Sequence, residues 1–253
     1  MKMDSLKKAI NIVKESFNII AFTGAGVSTE SNIPDFRSAN GLYSNKKKYK
    51  YPPEHIISHS FFMEHTEEFY DYYRNNMVYM DAKPNKCHIA LAELEKAGKI
   101  KAVITQNIDG LHQAAGSKNV LELHGSVNRN YCMKCKKKFD LEYVMDMSKP
   151  IPICDECGGI VRPDVVLYEE QLDYDILDKS VSYIRASDVL MILGTSLVVY
   201  PAAGLVDYYR GDKLILINKS STPYDYRAQV IINDKCGEIM SRIADKVLNS
   251  SGE

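Results

Sequence analysis

Two pairs of cysteines, one well-placed histidine and a turn broken by glycines carry most of the chemistry open to this 253-residue chain. Cys132/Cys135 and Cys154/Cys157 are both C-x-x-C knuckles, while Cys87 and Cys236 stand alone. Two such knuckles supply four soft thiolates at the spacing of a tetrahedral zinc site. Four thiolates leave no open coordination position, so a zinc held there is structural and has no water to activate. A redox dithiol or free cysteines would use the same residues but leave the matching of the two knuckles unexplained. Bond-making must therefore sit elsewhere.

The stretch 18–37, NIIAFTGAGVSTESNIPDFR, offers a place for it. Residues 19–22 form an apolar run of strand length; Gly24, Ala25 and Gly26 break it, and a helix can open from Val27. A strand, a glycine turn and a helix start bring backbone N–H groups and a positive helix end close to a phosphate. The dinucleotide fingerprint is incomplete, because Thr29 stands at its third small position and no acidic residue follows at ribose-binding distance. A tight turn without a ligand fits the same residues. Beyond Pro34, Asp35, Phe36 and Arg37 set an acid, an aromatic ring and a cation side by side, which suits a loop that closes over a ligand. A surface loop with one Asp–Arg pair is the plainer alternative. His124 directly follows the apolar V-L-E-L run, at a strand end. A histidine near pKa ~6.5 can accept a proton at neutral pH, although histidines at strand ends also serve structural roles.

Elements must position these groups. Leu6, Ile10, Val13 and Phe17 recur at helical spacing ahead of the first strand. Residues 61–80 are aromatic-rich and of helix length, and Pro84 and Gly98 bracket a further helix over 85–97. Short apolar runs at 102–105, 120–123, 165–168, 189–193, 214–217 and 230–232 read as strands, with helical patterns between most of them. Such alternation predicts an α/β fold with a doubly wound, mostly parallel sheet. The lysine-rich interruption at 129–159 carries the cysteine pairs and reads as an inserted small module. In an open α/β sheet the ligand binds beyond the carboxyl ends of the strands. Residues 105–109, His124, Gly194-Thr195-Ser196 and Asn218 all fall at such ends.

GAGVSTESNIPDFR resembles the NAD-binding signature of the sirtuins, the NAD-dependent protein-lysine deacylases. Thr105-Gln106-Asn107-Ile108-Asp109, Leu123-His124-Gly125 and Gly194-Thr195-Ser196 match further blocks in the family's order, with the cysteine module between the second and third. The likeness runs over roughly residues 6–247. It implies one catalytic domain over 1–253: a Rossmann-like NAD-binding part from 1–40, 84–125 and 160–253, a helical part at 41–83 and a zinc-ribbon part at 126–159.

The same resemblance implies a mechanism. The acyl oxygen of an acylated lysine attacks the ribose carbon of NAD and expels nicotinamide. The matching histidine, His124, then acts as base on a ribose hydroxyl, and free lysine and O-acyl-ADP-ribose leave. Asn107 and Asp109 match residues that position the ribose and bind nicotinamide. Gly24, Ala25, Gly26, Ser28, Thr29, Ile33, Gln106, Ile108, Gly194, Thr195, Ser196, Asn218, Lys219 and Cys236 match dinucleotide contacts, and Asp35, Phe36 and Arg37 match the loop shielding the reacting carbon. One structural zinc per chain is implied on the four paired cysteines.

An acetylated protein or peptide is expected to add as a strand between Val165-Val166-Leu167-Tyr168-Glu169 and Val198-Val199-Tyr200. The family's usual phenylalanine and glycine are here Tyr168 and Glu169, and the extra carboxylate predicts a tilt toward basic flanking residues. Members favouring succinyl or malonyl groups carry Tyr-x-x-Arg. Here Tyr70 is followed three positions on by Tyr73 and four on by Arg74, which favours acetyl and other uncharged acyl groups.

Composition excludes other classes. Lys and Arg number 32 against 33 Asp and Glu, a net charge of -1, so no general attraction to nucleic acid or anionic membrane is expected. The opening MKMDSLKKAINIVKESF mixes charge through its apolar positions, and no apolar run approaches the ~20 residues of a membrane span. The chain reads as cytoplasmic.

Overall fold

Strands with no polar position need cover on both faces, and this requirement shapes the larger half of the molecule. The computed structural model describes residues 2–35 and 49–249; Phe36 and Arg37, expected in the shielding loop, lie outside them. Helix α1 (Lys2–Glu15) leads into β1 (Ile19–Thr23), followed by a 3-10 helix at Ala25–Ser31. Then come α2 (Pro53–Ile56), α3 (His59–Glu64), α4 (Thr66–Asn76), α5 (Lys86–Lys96), β2 (Ile100–Thr105), α6 (Leu111–Ala114) and β3 (Val120–Glu122). The small sheet follows as β4 (Gly125–Cys132), β5 (Lys138–Phe139) and β6 (Val161–Val165), with α7 (Leu141–Met145) inside it. The chain returns through α8 (Tyr174–Ala186), β7 (Val189–Leu193), β8 (Leu214–Ile217), β9 (Val230–Ile232) and α9 (Cys236–Leu248).

The larger sheet has the order β3-β2-β1-β7-β8-β9 and is parallel throughout. Its order reverses between β1 and β7, which is where a doubly wound sheet opens a crevice for a ligand. α1, α5 and α9 cover one face through Leu6, Leu91, Leu94, Ile239 and Ile243. α8 and a second 3-10 helix, Ala202–Tyr208, cover the other through Ile184, Leu205 and Val206. The expected mostly parallel α/β fold with an inserted module is the one present.

Several boundaries differ from the sequence expectation. α1 stops at Glu15, so Phe17 falls outside it and is exposed, with Lys99 Nζ 4.3 Å from its ring centre. The stretch 61–80 is two helices, because His65 adopts non-helical angles (φ -130°, ψ 49°) between α3 and α4. The bend brings Phe62 and Phe69 edge to face, 4.9 Å apart. Asn85 caps α5 instead of belonging to it, its Oδ1 accepting from the Cys87 N–H at 2.9 Å.

The 165–168 run is likewise not a strand of the parallel sheet. β6 pairs antiparallel with β4 in the order β5-β4-β6, and residues 166–168 continue as an extended link. Val166 N–H donates to the His124 carbonyl, Tyr168 N–H to the Ile57 carbonyl, and His59 N–H to the Tyr168 carbonyl, each at 3.0 Å. The small sheet thus spans Gly125 to Val165, beyond both ends of the 126–159 interval. The aromatic helices dock on it as one cluster with the cysteine knuckles. Tyr70 donates its hydroxyl to the Val161 carbonyl, and Arg74 donates through Nε to the Val144 carbonyl at 2.7 Å.

Candidate active site

At the crevice, the turn after β1 and the turn after β7 press backbone against backbone. Gly24 N–H donates to the Leu193 carbonyl at 3.1 Å and Gly26 N–H to the Gly194 carbonyl at 2.7 Å. A Cβ on Gly26 would stand 2.7 Å from that same carbonyl oxygen. One on Gly194, where φ is +59°, would stand 2.4 Å from the Val27 nitrogen. The glycines are therefore required by this close approach, and the missing third small residue at Thr29 does not prevent it. Thr29 instead donates its hydroxyl to the Gly26 carbonyl at 3.0 Å.

Against this cradle lies a chain of polar side chains. Asn107 donates from Nδ2 to the Gly24 carbonyl at 3.2 Å and to Ser28 Oγ at 3.0 Å. Ser28 in turn donates to Asp109 Oδ2 at 2.6 Å, and Leu111 N–H donates to Asp109 Oδ1 at 2.9 Å. Burial raises the Asp109 carboxyl above its ordinary pKa, and these two hydrogen bonds only partly oppose it. Gln106 joins the cluster to the β7 turn by donating to Thr195 Oγ1 at 3.0 Å.

His124 sits in the two-residue link between β3 and β4. Its Nδ1 is 2.8 Å from the Gln106 carbonyl oxygen, which can only accept. Nδ1 therefore carries the hydrogen, and Nε2 of the neutral ring is left as a proton acceptor. Burial lowers its pKa below the ordinary value, against the raising effect of the Gln106 bond, and so favours the neutral ring.

Two cavities meet at this histidine. The outer one, about 670 Å³, is lined by Gly24, Ala25, Gly26, Thr29, Ile33, Asp35, Gln106, Asn107, His124, Gly194, Thr195, Ser196, Asn218, Lys219 and Cys236. The inner one, about 250 Å³, is lined by Ser28, Ile108 and Asp109, by Val165, Val166, Leu167, Tyr168 and Glu169, and by Val199 and Tyr200. Ala25, Ile33, Gln106, Asn107, His124 and Val199 belong to both walls. Val198, expected beside the peptide, is half-exposed and lines neither cavity.

Away from the crevice the sulfurs of Cys132, Cys135, Cys154 and Cys157 all lie within 4.8 Å of one another. The Cys132–Cys157 and Cys135–Cys154 pairs stand 3.4 and 3.6 Å apart. A tetrahedron with Zn–S bonds of ~2.3 Å has edges of about 3.8 Å, so the four thiolates fit one structural zinc. Backbone N–H groups of Lys134 and Cys135 point at Cys132 Sγ, the arrangement that stabilises a thiolate in a knuckle.

The profile of the Sir2 family matches residues 24–201, from the first glycine of the cradle through the module to the inner-cavity wall. The chain belongs to the Sir2 family. Among its relatives, the NAD-dependent protein deacetylase of Clostridium tetani is 61% identical over 245 residues, covering 97% of this chain and 99% of the relative. That of Clostridium acetobutylicum is 60% identical, covering 96% and 98%. A solved structure of Sir2 bound to acetylated peptide superposes with a TM-score of 0.84 at 39% identity, covering 100% of this chain and 99% of that one.

In this Sir2 chain several wall residues carried little signal in the sequence. Ile57, Phe69, Tyr73, Met77 and Tyr79 line the inner cavity, and their aromatic spacing reads equally as core. Asp234 and Lys235 join the outer wall from the turn before α9. Glu30 fixes that turn by accepting from the Gly237 N–H at 2.7 Å across 207 residues, a partnership no local pattern announces. Cys236 reaches the outer wall as expected, but its thiol points at the Ile217 carbonyl, 3.4 Å away, and burial pushes its pKa up to about 12. Glu169, expected beside the peptide, lines the inner cavity with its carboxylate already engaged, accepting from Ser60 N–H at 2.9 Å and Ser60 Oγ at 3.0 Å.

Proposed function

We propose that this Sir2 chain removes acetyl and other uncharged acyl groups from lysine side chains of proteins, with NAD as the acyl acceptor, releasing nicotinamide and O-acyl-ADP-ribose. The observation that carries this reading is the meeting of two cavities at the free Nε2 of His124. The outer one has the glycine cradle and volume for a dinucleotide. The inner one has an apolar bore for an acylated lysine. The deacetylase relatives and the Sir2 complex with acetylated peptide support the same assignment.

Bound NAD supplies an electrophilic ribose carbon and a nicotinamide leaving group. Gly24, Ala25, Gly26, Gly194, Thr195 and Ser196 form the cradle for the pyrophosphate; the Gly24, Gly26 and Gly194 N–H groups serve backbone carbonyls and shape it, which leaves the contact to the amides of Ala25, Thr195 and Ser196. Asn218, Lys219 and Cys236 flank the adenosine end, and Gln106 orients the nearer ribose. Asn107 and Asp109, locked together through Ser28, hold the nicotinamide side and keep bulk water out. His124 takes a ribose hydroxyl proton at Nε2 while Nδ1 stays bonded to Gln106.

The substrate strand lies between Val166–Glu169 and Val199–Tyr200, paired through backbone groups. Among the described residues the nucleotide part comprises 2–35, 84–124 and 166–249, the helical part 49–83 and the ribbon part 125–165, the last wider than 126–159 because β6 pairs with β4. Among the described residues no helix is long and apolar enough to cross a membrane, and we place the protein in the cytoplasm. Arg74 donates from Nε and Nη1 to the Val144, Lys149 and Pro150 carbonyls and is not among the residues lining the inner cavity, which carries no arginine among the described residues and so supports the preference for uncharged groups.

Mass spectrometry of an acetyl-lysine peptide with and without NAD, beside a His124→Ala variant, tests the reading. Loss of acetyl only with NAD, together with O-acetyl-ADP-ribose, is expected, and the variant should be slower by at least ~100-fold. Nicotinamide release with the peptide unchanged would replace it with ADP-ribosyl transfer or NAD hydrolysis.

A further inference from the structure

The extended link 166–168, where the substrate strand is expected to pair, is followed by two carboxylates that α3 holds. Glu169 accepts from the Ser60 N–H at 2.9 Å and from Ser60 Oγ at 3.0 Å. Glu170 Oε1 lies 2.8 Å from His59 Nδ1, and an ionised carboxylate only accepts, so Nδ1 carries the hydrogen. The same carboxylate takes both Nη groups of Arg162, at 2.8 and 3.0 Å, and the Leu167 N–H at 2.9 Å. Glu170 therefore joins α3, β6 and the link through one group.

The main chain of the link is held from the same side. Tyr168 N–H donates to the Ile57 carbonyl and the Tyr168 carbonyl accepts from His59 N–H, each at 3.0 Å. Among the described residues the Val166 carbonyl and the Glu169 N–H have no partner and are left for an added strand. Glu169 stands at φ +75°, a left-handed conformation that a residue with a Cβ adopts at a cost and keeps where its surroundings fix it. The two bonds from Ser60 supply such a constraint. Glu169 and Glu170 line the inner cavity, whereas His59 and Ser60 line neither cavity and act only through the residues they hold.

We propose that His59 and Ser60 are positioning residues for the acylated protein: by clamping Glu170 and Glu169 they fix the backbone of the link for strand pairing, and so set peptide affinity without touching NAD. The inference rests on the deacylase reading and adds two residues outside its site. The His59 and Ser60 N–H donors belong to the main chain and survive a change of side chain. The His59 ring and the Ser60 hydroxyl are what a substitution removes. The His59 side chain is 45% exposed, so the loss of its bond to an ionised partner is a few-fold effect.

The test compares the wild type, His59→Ala, His59→Asn and the double variant His59→Ala/Ser60→Ala on one acetyl-lysine peptide. Turnover gives kcat and the peptide KM; fluorescence anisotropy gives peptide Kd without NAD, and calorimetry gives NAD Kd without peptide. His59→Ala should raise peptide KM and Kd about three- to fivefold, and the double variant about five- to tenfold. In both, kcat and NAD Kd should stay within about twofold of the wild type. His59→Asn sets an amide N–H near the place of Nδ1 and should hold peptide Kd within about twofold of the wild type. Unchanged peptide binding in the double variant overturns the inference. So does NAD binding weakened as much as peptide binding, the mark of a general structural fault, and so does His59→Asn behaving as His59→Ala does. If no peptide is turned over but the Kd pattern is found, the clamp stands and the deacylase reading falls. A wild type that binds no acetyl-lysine peptide overturns both.

Discussion

Every position of β1, β7 and β8 is buried, whereas β4 of the small sheet exposes Asn128 and Arg129 and is buried at its Cys132 end. The parallel half is closed by apolar faces of α1, α5, α8 and α9 packing on both sides of one sheet. The small module has less sheet, and its aromatic core is supplemented by point attachments: four thiolates, the Tyr70 hydroxyl on Val161, and the Arg162–Glu170 ion pair at 2.8 Å. A half built on burial alone spreads its stability over many contacts, whereas a half that also relies on a metal cross-link loses a large share of it when that one link is cut.

Removing the zinc should produce the largest effect. Structural zinc contributes about 10–16 kcal/mol in isolated fingers, far more than any side-chain contact in this module. Chelation, or Cys154→Ala, is expected to cut deacetylation by more than ~100-fold and to speed amide exchange across 125–165. The β1, β7 and β8 amides should keep their protection. Equal acceleration in both halves would break the comparison.

Gly194→Ala strikes the other half where it cannot yield. An added Cβ 2.4 Å from the Val27 nitrogen, at φ +59°, must move backbone. The expected cost is about 2–4 kcal/mol in denaturant unfolding, with a rise in KM for NAD of at least ~10-fold. An unchanged KM for NAD would mean that the two turns do not form the cradle.

Acid should separate the halves again. Burial holds His88 at about 4 and His112 at about 3, both in the parallel half. Unfolding frees them to bind protons near ~6.5, so the unfolded state gains protons first and stability falls as pH drops from ~6.5 toward those values. For Glu170 burial works to raise the pKa, but bonds from Arg162, Leu167 N–H and His59 outweigh it and hold the carboxyl below its ordinary value. Its stabilisation is complete above the ordinary carboxylate range and is lost only as pH falls through that lowered value. Protection factors, which correct for the slower intrinsic exchange in acid, should therefore fall in the sheet half first between pH ~6.5 and ~5, and His112→Gln should flatten that slope. An acid response beginning in the ribbon would contradict it.

The smallest effect concerns Glu169, which sits at φ +75° with its carboxylate on Ser60. Two hydrogen bonds absorb much of its charge, so the preference for lysine-flanked over glutamate-flanked peptides should be slight in the wild type. It should grow, by less than about twofold, in Ser60→Ala, which removes the Oγ bond and keeps the backbone N–H bond. Competition between the two peptides reads this directly, and an unchanged ratio would show that the carboxylate was never masked.

Much of this was legible in the chain because its signals are local. The two knuckles lie within four residues each, the β1 turn within three glycine-rich positions, and the uninterrupted apolar runs mark strands covered on both faces. The errors have equally physical causes. Residues 61–80 look like one helix because aromatic periodicity continues across His65, where packing of Phe62 on Phe69 bends the chain. The 165–168 run looks like a sheet strand because it is apolar, yet β4 pairs with the residues just before it. Val198 resembles its neighbours in type and differs only in which way it faces.

Residue type and short spacing thus determined the α/β class and the two cysteine knuckles, since each depends on groups a few positions apart, while the proposed catalytic residues came from the likeness of three separated blocks to the sirtuins. Only the tertiary structure decided which nitrogen of His124 is free, because the Gln106 carbonyl that orients it arrives from another strand, 18 residues away. The same holds for the meeting of the two cavities. Hydrogen-bond partners and cavity walls are set by the register of distant strands and helices, and one stretch of sequence carries no record of what packs against it.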